Sequence, residues 1–367
     1  MSKIKAGILG CTGLVGQQFV RMLAGHPYFE IAVLASSTFS AGKKYREAAD
    51  WSLPEEMPEE VKDMTLSEVS PEILIDSGVK IFFSALPAET AKDIEIPLSE
   101  KGVFIFSNAR ANRMISWVPI LIPEVNPGHI DLISFRPDNQ KGFIITNSNC
   151  STTGLAMTLK PLQKFGIRSI VVSTYQAVSG AGRQGLSSLD ILGNVIPWIS
   201  GEEDKMEKET QKIFGKIIDG KITDSQFDIM ASCCRVPVRD GHLENVSVQL
   251  KENAGESEIL SAFRSFQGIP QELNLPSAPE KPLIVREEPD RPQPLLDLYA
   301  GNPQRAKGMA VTVGRIRKRG RKISFALLVN NTIRGAAGTC VLNAELALVK
   351  NKIKVRQDPF NTRRDYS

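Results

Sequence analysis

The sequence predicts an α/β protein of two domains, in which a parallel-sheet domain that binds a dinucleotide precedes an α+β domain. The chain has 367 residues, 42% of them hydrophobic and 23% charged, which is more than one domain usually needs. A strand pattern over residues 3–9 runs into a glycine-rich loop at residues 10–16, GCTGLVG, and then into a helical pattern. A second strand–turn–helix pattern is predicted at residues 143–164, where a strand over residues 143–146 leads into a turn that bears Cys150 and then into a helix over residues 155–164.

The loop at residues 10–16 is typical of a dinucleotide-binding βαβ unit. Glycines at its first, fourth and seventh positions permit a tight turn, close approach of a pyrophosphate to the backbone, and packing of the helix on the strand. A glycine-rich turn in a domain without a ligand is the alternative. We predict that the cofactor contacts Gly10, Thr12, Gly13, Leu14, Val15 and Gly16.

The end of the second strand, predicted over residues 31–35, indicates which dinucleotide binds. An NAD enzyme usually places Asp or Glu there to hold the ribose hydroxyls. Here the following residues, 35–44, read ASSTFSAGKK, and Glu30 lies at the other end of the strand. Hydroxyls and lysines suit a 2′-phosphate, which a carboxylate would repel. We therefore predict NADP(H) as the cofactor, with contacts from Ser36, Ser37 and Lys43.

Strand patterns over residues 79–84 and 103–106, with a helical pattern over residues 89–101 between them, continue the first domain. The carboxyl ends of parallel strands line a cofactor crevice, so we predict that Ser84 contacts the cofactor. The dinucleotide-binding domain is predicted to cover residues 1–149.

The second domain is predicted over residues 150–335, and a last helix within residues 336–367 is expected to fold back on the first domain. We expect most charges of the helix at residues 202–214 to be solvated, and the proline-rich residues 270–294 to be extended. The remaining strand patterns cover residues 167–175, 229–238, 243–250, 309–316 and 323–329, and a further helical pattern covers residues 257–266.

A flexible loop, SGAGRQG at residues 179–185, follows the strand that begins the second domain. Its glycines let the backbone approach a ligand closely. This loop is predicted to contact the cofactor or the substrate, and we assign Ser179 and Gly180 to the cofactor.

Cys150 is the candidate nucleophile because it lies at a strand-to-helix turn. Helix N–H groups and the helix dipole favour an anion there, and we expect Ser151, Thr152 and Thr153 to supply N-cap oxygens. The pKa of the thiol is then expected to fall from roughly 8.5 to ~4–7, and the same N–H groups can hold an oxyanion. The alternative is a small buried cysteine without a catalytic role.

Only three histidines are available as a base for this thiol. We expect His26 to be a capping or surface residue, and His129 lies in a loop without catalytic neighbours. His242 follows a turn between two strands, so it can be presented to a crevice, although a histidine in a turn is usually just exposed. A Cys–His pair beside a nicotinamide predicts an aldehyde dehydrogenase or an acyl reductase.

The composition excludes several other classes. The net charge of +4 is small and dispersed, so no nucleic-acid partner is predicted. The basic residues 315–322 are interpreted as a solvated hairpin, with a polyanion site as the alternative. Five cysteines in no paired spacing predict neither a metal site nor a disulfide framework. With no signal peptide or membrane span in the pattern, we expect a soluble, cytoplasmic protein.

These motifs together resemble the aspartate-semialdehyde dehydrogenases, in particular their archaeal and fungal branch. The residues that carry the resemblance are the loop at 10–16, IPEVNP at 122–127, NSNCSTTG at 147–154, Arg235 with DGH at 240–242, and NTIRGAAG at 331–338. The resemblance covers essentially the whole chain in the same order. It implies a Rossmann-type domain plus an α+β catalytic and dimerisation domain of the glyceraldehyde-phosphate dehydrogenase type, and a homodimer or homotetramer.

The reaction that the resemblance implies is the NADPH-dependent reduction of L-4-aspartyl phosphate to L-aspartate 4-semialdehyde, with release of phosphate. This step feeds lysine, threonine and methionine synthesis. Carried over by position, Cys150 is the nucleophile that forms a thioester, His242 the acid/base, and Gln176 the residue that orients the acyl group. Asn331, in the last matching stretch, is expected to contact the cofactor.

The resemblance also implies a set of substrate-binding residues. Arg235 is expected to hold the α-carboxylate, for which a bidentate guanidinium is chemically suited. Glu209 is expected to bind the α-ammonium, and Lys212 with Arg113 the phosphate. Asn149 completes the set. For Glu209 and Lys212 the alternative is an ordinary i,i+3 surface pair.

One departure from the family pattern is Arg110, which stands where a small hydroxyl residue is common. Two other functions remain open at this point. Some malonyl-CoA reductases share the fold and reduce a thioester with NADPH, but their substrate has neither an α-ammonium nor an acyl phosphate. A nucleotide-binding regulatory protein without turnover is the other alternative.

Overall fold

The structure, a computed structural model, describes residues 3–182 and 185–353. The predictions for loop residues 183–184 and for the chain after residue 353 lie outside the described residues. No helix in the described part of the chain combines the length and the apolar character that a membrane span requires.

The first sheet consists of strands that pair in parallel. They are β1 (Ile4–Leu9), β2 (Phe29–Ser36), β3 (Ser67–Glu68), β4 (Ile81–Ser84), β5 (Phe104–Ser107) and β6 (Phe143–Thr146). Helices α1 (Leu14–Leu23), α2 (Tyr45–Ala48), α3 (Glu59–Lys62), α4 (Pro71–Asp76) and α5 (Ala88–Glu100) lie between them. The order β3-β2-β1-β4-β5-β6 reverses direction at β1, which opens a crevice at the carboxyl ends of β1 and β4. The predicted parallel α/β architecture is confirmed.

The second sheet is mixed, with the order β10-β7-β11-β14-β13-β12. Its strands are β7 (Ile167–Gln176), β10 (Asp228–Arg235), β11 (His242–Leu250), β12 (Leu283–Val285), β13 (Val311–Arg319) and β14 (Lys322–Val329), while β8 (Lys216–Ile218) and β9 (Lys221–Thr223) form a separate hairpin. The accompanying helices are α6 (Cys150–Leu159), α7 (Ser188–Ile191), α8 (Glu202–Ile213), α9 (Glu256–Arg264), α10 (Ile269–Glu272) and α11 (Pro294–Asp297). The predicted α+β architecture is confirmed.

Two predicted elements are wrong in their extent. The helix expected over residues 155–164 begins at Cys150, because Asn149 caps it, and a 3₁₀ turn follows it over Lys160–Phe165. The segment at residues 270–294 begins within the short helix α10 and so departs from the expected extended conformation there, whereas its strand β12 is extended and pairs in parallel with β13. Pairing with a distant strand leaves no trace in local composition.

The last described helix, α12 (Gly338–Val349), packs on α1 and β5 and is buried over most of its length. A buried pair reinforces this contact, because Nε2 of His26 lies 2.8 Å from Oε1 of Glu345 and neither side chain is exposed. His26, expected to be a capping or surface residue, is therefore buried, and its Nδ1 accepts from the backbone N–H groups of Tyr28 and Phe29.

Candidate active site

Three neighbouring strands bring the predicted catalytic residues together. Arg235, at the end of β10, pairs with Gln176, at the end of β7. The pairing of Leu243 with Tyr175 places His242, at the start of β11, opposite Gln176. Cross-strand neighbours share a face of the sheet, so the Arg235, Gln176 and His242 side chains form one buried row.

Cys150 completes this row from the first turn of α6. Its Sγ lies 3.1 Å from Nε2 of His242. The backbone N–H of Ala177 donates to Nδ1 of the same ring at 3.1 Å, so a neutral imidazole carries its proton on Nε2, facing the sulfur. Burial, helped by the charge of Arg235, lowers the pKa of His242 to about 3. His242 is thus a buried neutral ring and not an exposed turn residue.

The expectation of a depressed pKa for Cys150 is wrong for this arrangement. Burial raises the pKa of the Cys150 thiol to about 12, and the charge of Glu202 adds to this effect. Arg113 and Arg235 lower the pKa, but by less than burial raises it. The helix terminus alone therefore does not create the thiolate.

The N-terminal amides of α6 are mostly occupied. Oδ1 of Asn149 accepts from the N–H groups of Ser151 at 3.0 Å and Thr152 at 3.2 Å, so the predicted Ser and Thr caps are wrong. The N–H of Thr153 donates to the carbonyl of Asn149. The N–H of Cys150 has no acceptor among the described residues, which leaves it as the amide that can hold an oxyanion.

Helix α8 contributes the buried charges of Glu202, Glu209 and Lys212 to the site, whereas its other charges are at least partly exposed, as expected. Nη1 of Arg113 donates to Oε1 of Glu209 at 2.8 Å, and the N–H of Asn149 donates to Oε2 at 2.6 Å. Both oxygens of Glu209 are thus engaged within the protein. Glu202 was not predicted, yet Nδ2 of Asn149 donates to its Oε1 at 2.6 Å. The seven-residue spacing of Glu202 and Glu209, which places both on one helix face, was the available signal.

The structure does not place Lys212 as a phosphate ligand. Its Nζ donates to the carbonyls of Arg113 at 2.5 Å, Val118 at 3.1 Å and Ile115 at 3.3 Å. These bonds use all three N–H groups of an ammonium. Burial lowers the pKa of Lys212 to about 8. Lys212 therefore stabilises the segment that carries Arg113. Arg110, the departure from the family pattern, is exposed.

The glycine-rich loop has the shape that a pyrophosphate site requires. Gly10 has a φ of +75°, and a Cβ there would lie 2.8 Å from the carbonyl oxygen of Ala85. A Cβ on Gly16 would lie 2.1 Å from the carbonyl oxygen of Gly10. Helix α1 begins after Gly13 without a side-chain cap or an acidic residue in its first turn. Its first N–H groups, on Leu14, Val15 and Gly16, are thus available to an anion.

The end of β2 fits an additional phosphate. Oγ of Ser36 lies 2.9 Å from Oγ1 of Thr12, which joins this strand end to the glycine-rich loop. Ser37 and Lys43 are exposed beyond it. Ser84 is buried at the end of β4, which pairs with β1.

The loop that follows β7 connects the cofactor side to the catalytic row. Nδ2 of Asn331 donates to Oγ of Ser179 at 2.9 Å, and its Oδ1 accepts from the N–H of Gly241 at 2.8 Å. A Cβ on Gly180 would lie 2.7 Å from Nη1 of Arg235, so a larger residue there would displace this guanidinium. A cavity of about 190 Å³ lies between this loop and the start of α1, where Leu14 and Gln18 line it.

Comparisons with known proteins identify semialdehyde dehydrogenases as relatives of this chain. Residues 5–133 match a family model described as the NAD binding domain of semialdehyde dehydrogenase, and residues 159–334 match its dimerisation domain. The aspartate-semialdehyde dehydrogenase of Archaeoglobus fulgidus is 47% identical over 354 residues, which is 96% of this chain and 99% of that one. That of Cryptococcus neoformans is 42% identical over 365 residues, covering 96% and 99%.

A crystal structure of aspartate semialdehyde dehydrogenase with NADP from Candida albicans is similar throughout, with a TM-score of 0.86, 40% identity, and coverage of 96% of this chain and 100% of that one. None of these relatives supports the malonyl-CoA reductase alternative. The predicted family, fold class and oxidoreductase class are confirmed. The chain belongs to the aspartate-semialdehyde dehydrogenase family.

Proposed function

We propose that this protein catalyses the NADPH-dependent reductive dephosphorylation of L-4-aspartyl phosphate to L-aspartate 4-semialdehyde. The observation that carries the proposal is the 3.1 Å approach of Cys150 Sγ to His242 Nε2, in one row with Gln176 and Arg235. The names of the relatives support this substrate. Residues 1–149 would bind the cofactor, and residues 150–335 would carry the chemistry and the dimer contact.

The chain's own residues divide the reaction between them. The Cys150 sulfur attacks the acyl carbon, the thiol proton leaves with the departing phosphate as the acyl–phosphate bond breaks, and a thioester remains. NADPH supplies the hydride that reduces this thioester. The N–H of Cys150 would hold the oxygen that becomes negative when the hydride is added, and Nε2–H of His242 stabilises the thiolate that departs as the aldehyde forms. Arg235 holds the α-carboxylate, and Gln176 orients the acyl group.

This assignment leaves His242 as a hydrogen-bond donor in the reductive direction. An acid/base role would require the ring to give up or take a proton at Nε2, and the contact from Ala177 favours the tautomer that already carries it. The thiol proton leaves with the phosphate when the thioester forms, and the thiolate released with the aldehyde regains a proton from water, so neither step requires His242 to gain or lose a proton.

NADP(H) is the proposed cofactor, because no carboxylate follows β2 and because the relative from Candida albicans was solved with NADP. Thr12, Ser36, Ser37 and Lys43 would hold its 2′-phosphate.

We further propose that two copies pair through the face of the second sheet that lies opposite the catalytic row, as a homodimer or as half of a homotetramer. Apolar residues on this face are exposed, including Val171 at 52% and its strand neighbour Met230 at 66%. The match to a dimerisation domain supports this assembly. We expect the protein to act in the cytoplasm.

The test is NADPH formation by purified protein with L-aspartate 4-semialdehyde and NADP, with and without inorganic phosphate. Turnover that depends on phosphate is the expected result. If semialdehyde is not oxidised but malonyl-CoA supports NADPH oxidation, the substrate assignment is wrong. NADP(H) binding without turnover of either substrate would indicate a regulatory protein.

A further inference from the structure

A buried carboxylate, Glu202, faces the start of the helix that carries the nucleophile. Its side chain belongs to the first turn of α8 and is 8% exposed. Oε1 accepts from Nδ2 of Asn149 at 2.6 Å, and Oε2 pairs with Nζ of Lys205 at 2.5 Å. The reaction described above gives Glu202 no part.

Both polar atoms of the Asn149 side chain form hydrogen bonds. Its Oδ1 caps α6 through the N–H groups of Ser151 and Thr152, and its Nδ2 donates to Glu202. An amide can rotate by half a turn and exchange its oxygen for its nitrogen, and a nitrogen cannot accept the capping bonds. The bond to Glu202 therefore selects the orientation in which the oxygen points at the helix.

The charge of Glu202 strengthens this selection. Burial raises the pKa of Glu202, but the neighbouring charge of Lys205 and the hydrogen bonds from Lys205 and Asn149 outweigh it, so the pKa is lowered overall. The group is an ionised acceptor at neutral pH, and hydrogen bonds to ionised acceptors are short and strong.

Cys150 follows Asn149 directly and is the first residue of α6. A change in the cap thus moves the sulfur relative to His242, whose Nε2 is 3.1 Å away. We propose that Glu202 is a positioning residue, which orients the Asn149 amide and through it sets the position of Cys150. The effect on turnover rests on the proposed function, whereas the effect on the helix terminus does not.

The first experiment compares three variants. Glu202→Ala removes the acceptor and is expected to lower kcat by about 10²-fold with KM within ~3-fold, because a small displacement of a reacting atom is costly. Glu202→Gln keeps an oxygen acceptor and is expected to restore kcat to within ~10-fold of the wild type. Asp204→Asn is the control, since it removes a charge from the same helix turn but its side chain is exposed. Unchanged kcat in Glu202→Ala, or equal losses in Glu202→Ala and Glu202→Gln, would overturn the proposal.

A double-mutant cycle tests whether Glu202 acts through Asn149. Asn149→Ser keeps a capping oxygen but has no amide to donate to Glu202. In this background, Glu202→Ala is expected to change kcat by less than ~3-fold, since the link is already broken. A full ~10²-fold loss in this background would show that Glu202 acts independently of Asn149 and would overturn the proposal.

Hydrogen exchange gives a readout that needs no substrate. In Glu202→Ala, the amides of Ser151 and Thr152 are expected to exchange faster, because their capping acceptor is no longer held in place. Glu202→Gln and Asp204→Asn are expected to match the wild type. If the wild type lacks aspartate-semialdehyde activity, the proposed function fails, while this comparison still decides the positioning role. Unchanged exchange in Glu202→Ala would contradict it.

Discussion

The backbone N–H of Ala177 donates to Nδ1 of His242 across 3.1 Å, and this bond determines which ring nitrogen faces the nucleophile. Because Nδ1 accepts, the neutral ring carries its proton on Nε2, next to Cys150 Sγ. Strand β7 delivers Ala177 and strand β11 begins at His242, so the pairing of the two strands sets the tautomer.

The low pKa of His242 makes a prediction about stability against pH. The folded pKa of about 3 lies below the ordinary value of ~6.5, so the unfolded chain binds an extra proton between these values. The stability associated with the neutral ring is present above pH ~6.5 and declines as pH falls towards 3. His242→Gln removes this titration. Between pH 7.5 and 5, the free energy of unfolding of this variant is expected to fall by about 2 kcal/mol less than that of the wild type. Urea unfolding at the two pH values measures the difference, and equal losses would show that His242 does not titrate as described.

Cys150→Ala is expected to abolish turnover and to leave NADPH binding unchanged, because the sulfur makes the covalent bond but does not hold the cofactor. Fluorescence titration with NADPH and the phosphate-dependent assay measure the two properties. Cys234→Ala is the matched control, since Cys234 lies on β10 on the opposite face of the sheet from Arg235. Activity retained in Cys150→Ala would exclude the thioester mechanism.

Arg235→Lys is expected to raise KM for aspartate semialdehyde by at least ~10-fold, because a point charge cannot replace the planar fork that binds a carboxylate. Nη1 already donates to the carbonyl of Ala177 at 2.7 Å, which fixes the guanidinium in the catalytic row. Arg168→Lys, at the exposed start of β7, is the control. An unchanged KM would place the carboxylate site elsewhere.

Ser37→Asp is expected to shift cofactor preference from NADP towards NAD, since a carboxylate beyond β2 repels a 2′-phosphate and accepts from ribose hydroxyls. The ratio of kcat/KM for NADP and NAD measures the shift. Glu30→Gln changes a charge at the opposite end of β2 and is expected to leave the ratio unaltered. If Ser37→Asp leaves the ratio unaltered as well, other groups hold the phosphate.

Lys212→Met is expected to destabilise the fold by about 3 kcal/mol or more, because it leaves three carbonyls without their buried donor. Lys208→Met, on an exposed part of the same helix, is expected to have little effect. Urea unfolding tests whether Lys212 stabilises the fold, and KM for phosphate tests whether it binds phosphate. Normal stability with a strongly raised KM would mean that the ammonium leaves the carbonyls and binds phosphate, as the family resemblance implies.

Local sequence was enough to predict the elements whose signals are local. The loop at residues 10–16 and the strand–turn–helix around Cys150 each depend on residues that are adjacent in the chain. The motifs around Cys150, Arg235 and His242 also identified the family, because their residue types and order are specific even before they are brought together.

The tertiary structure alone decided the partners of the buried charges. Glu202 and Lys212 lie in a helix whose composition is that of a solvated surface, and only packing of α8 against α6 and the 113–118 segment shows that both are buried. The raised pKa of Cys150 has the same origin, since burial is a property of all surrounding elements and not of the turn that bears the thiol. Sequence patterns report the preferences of neighbouring residues, whereas desolvation and hydrogen-bond pairing depend on groups that are far apart in the chain.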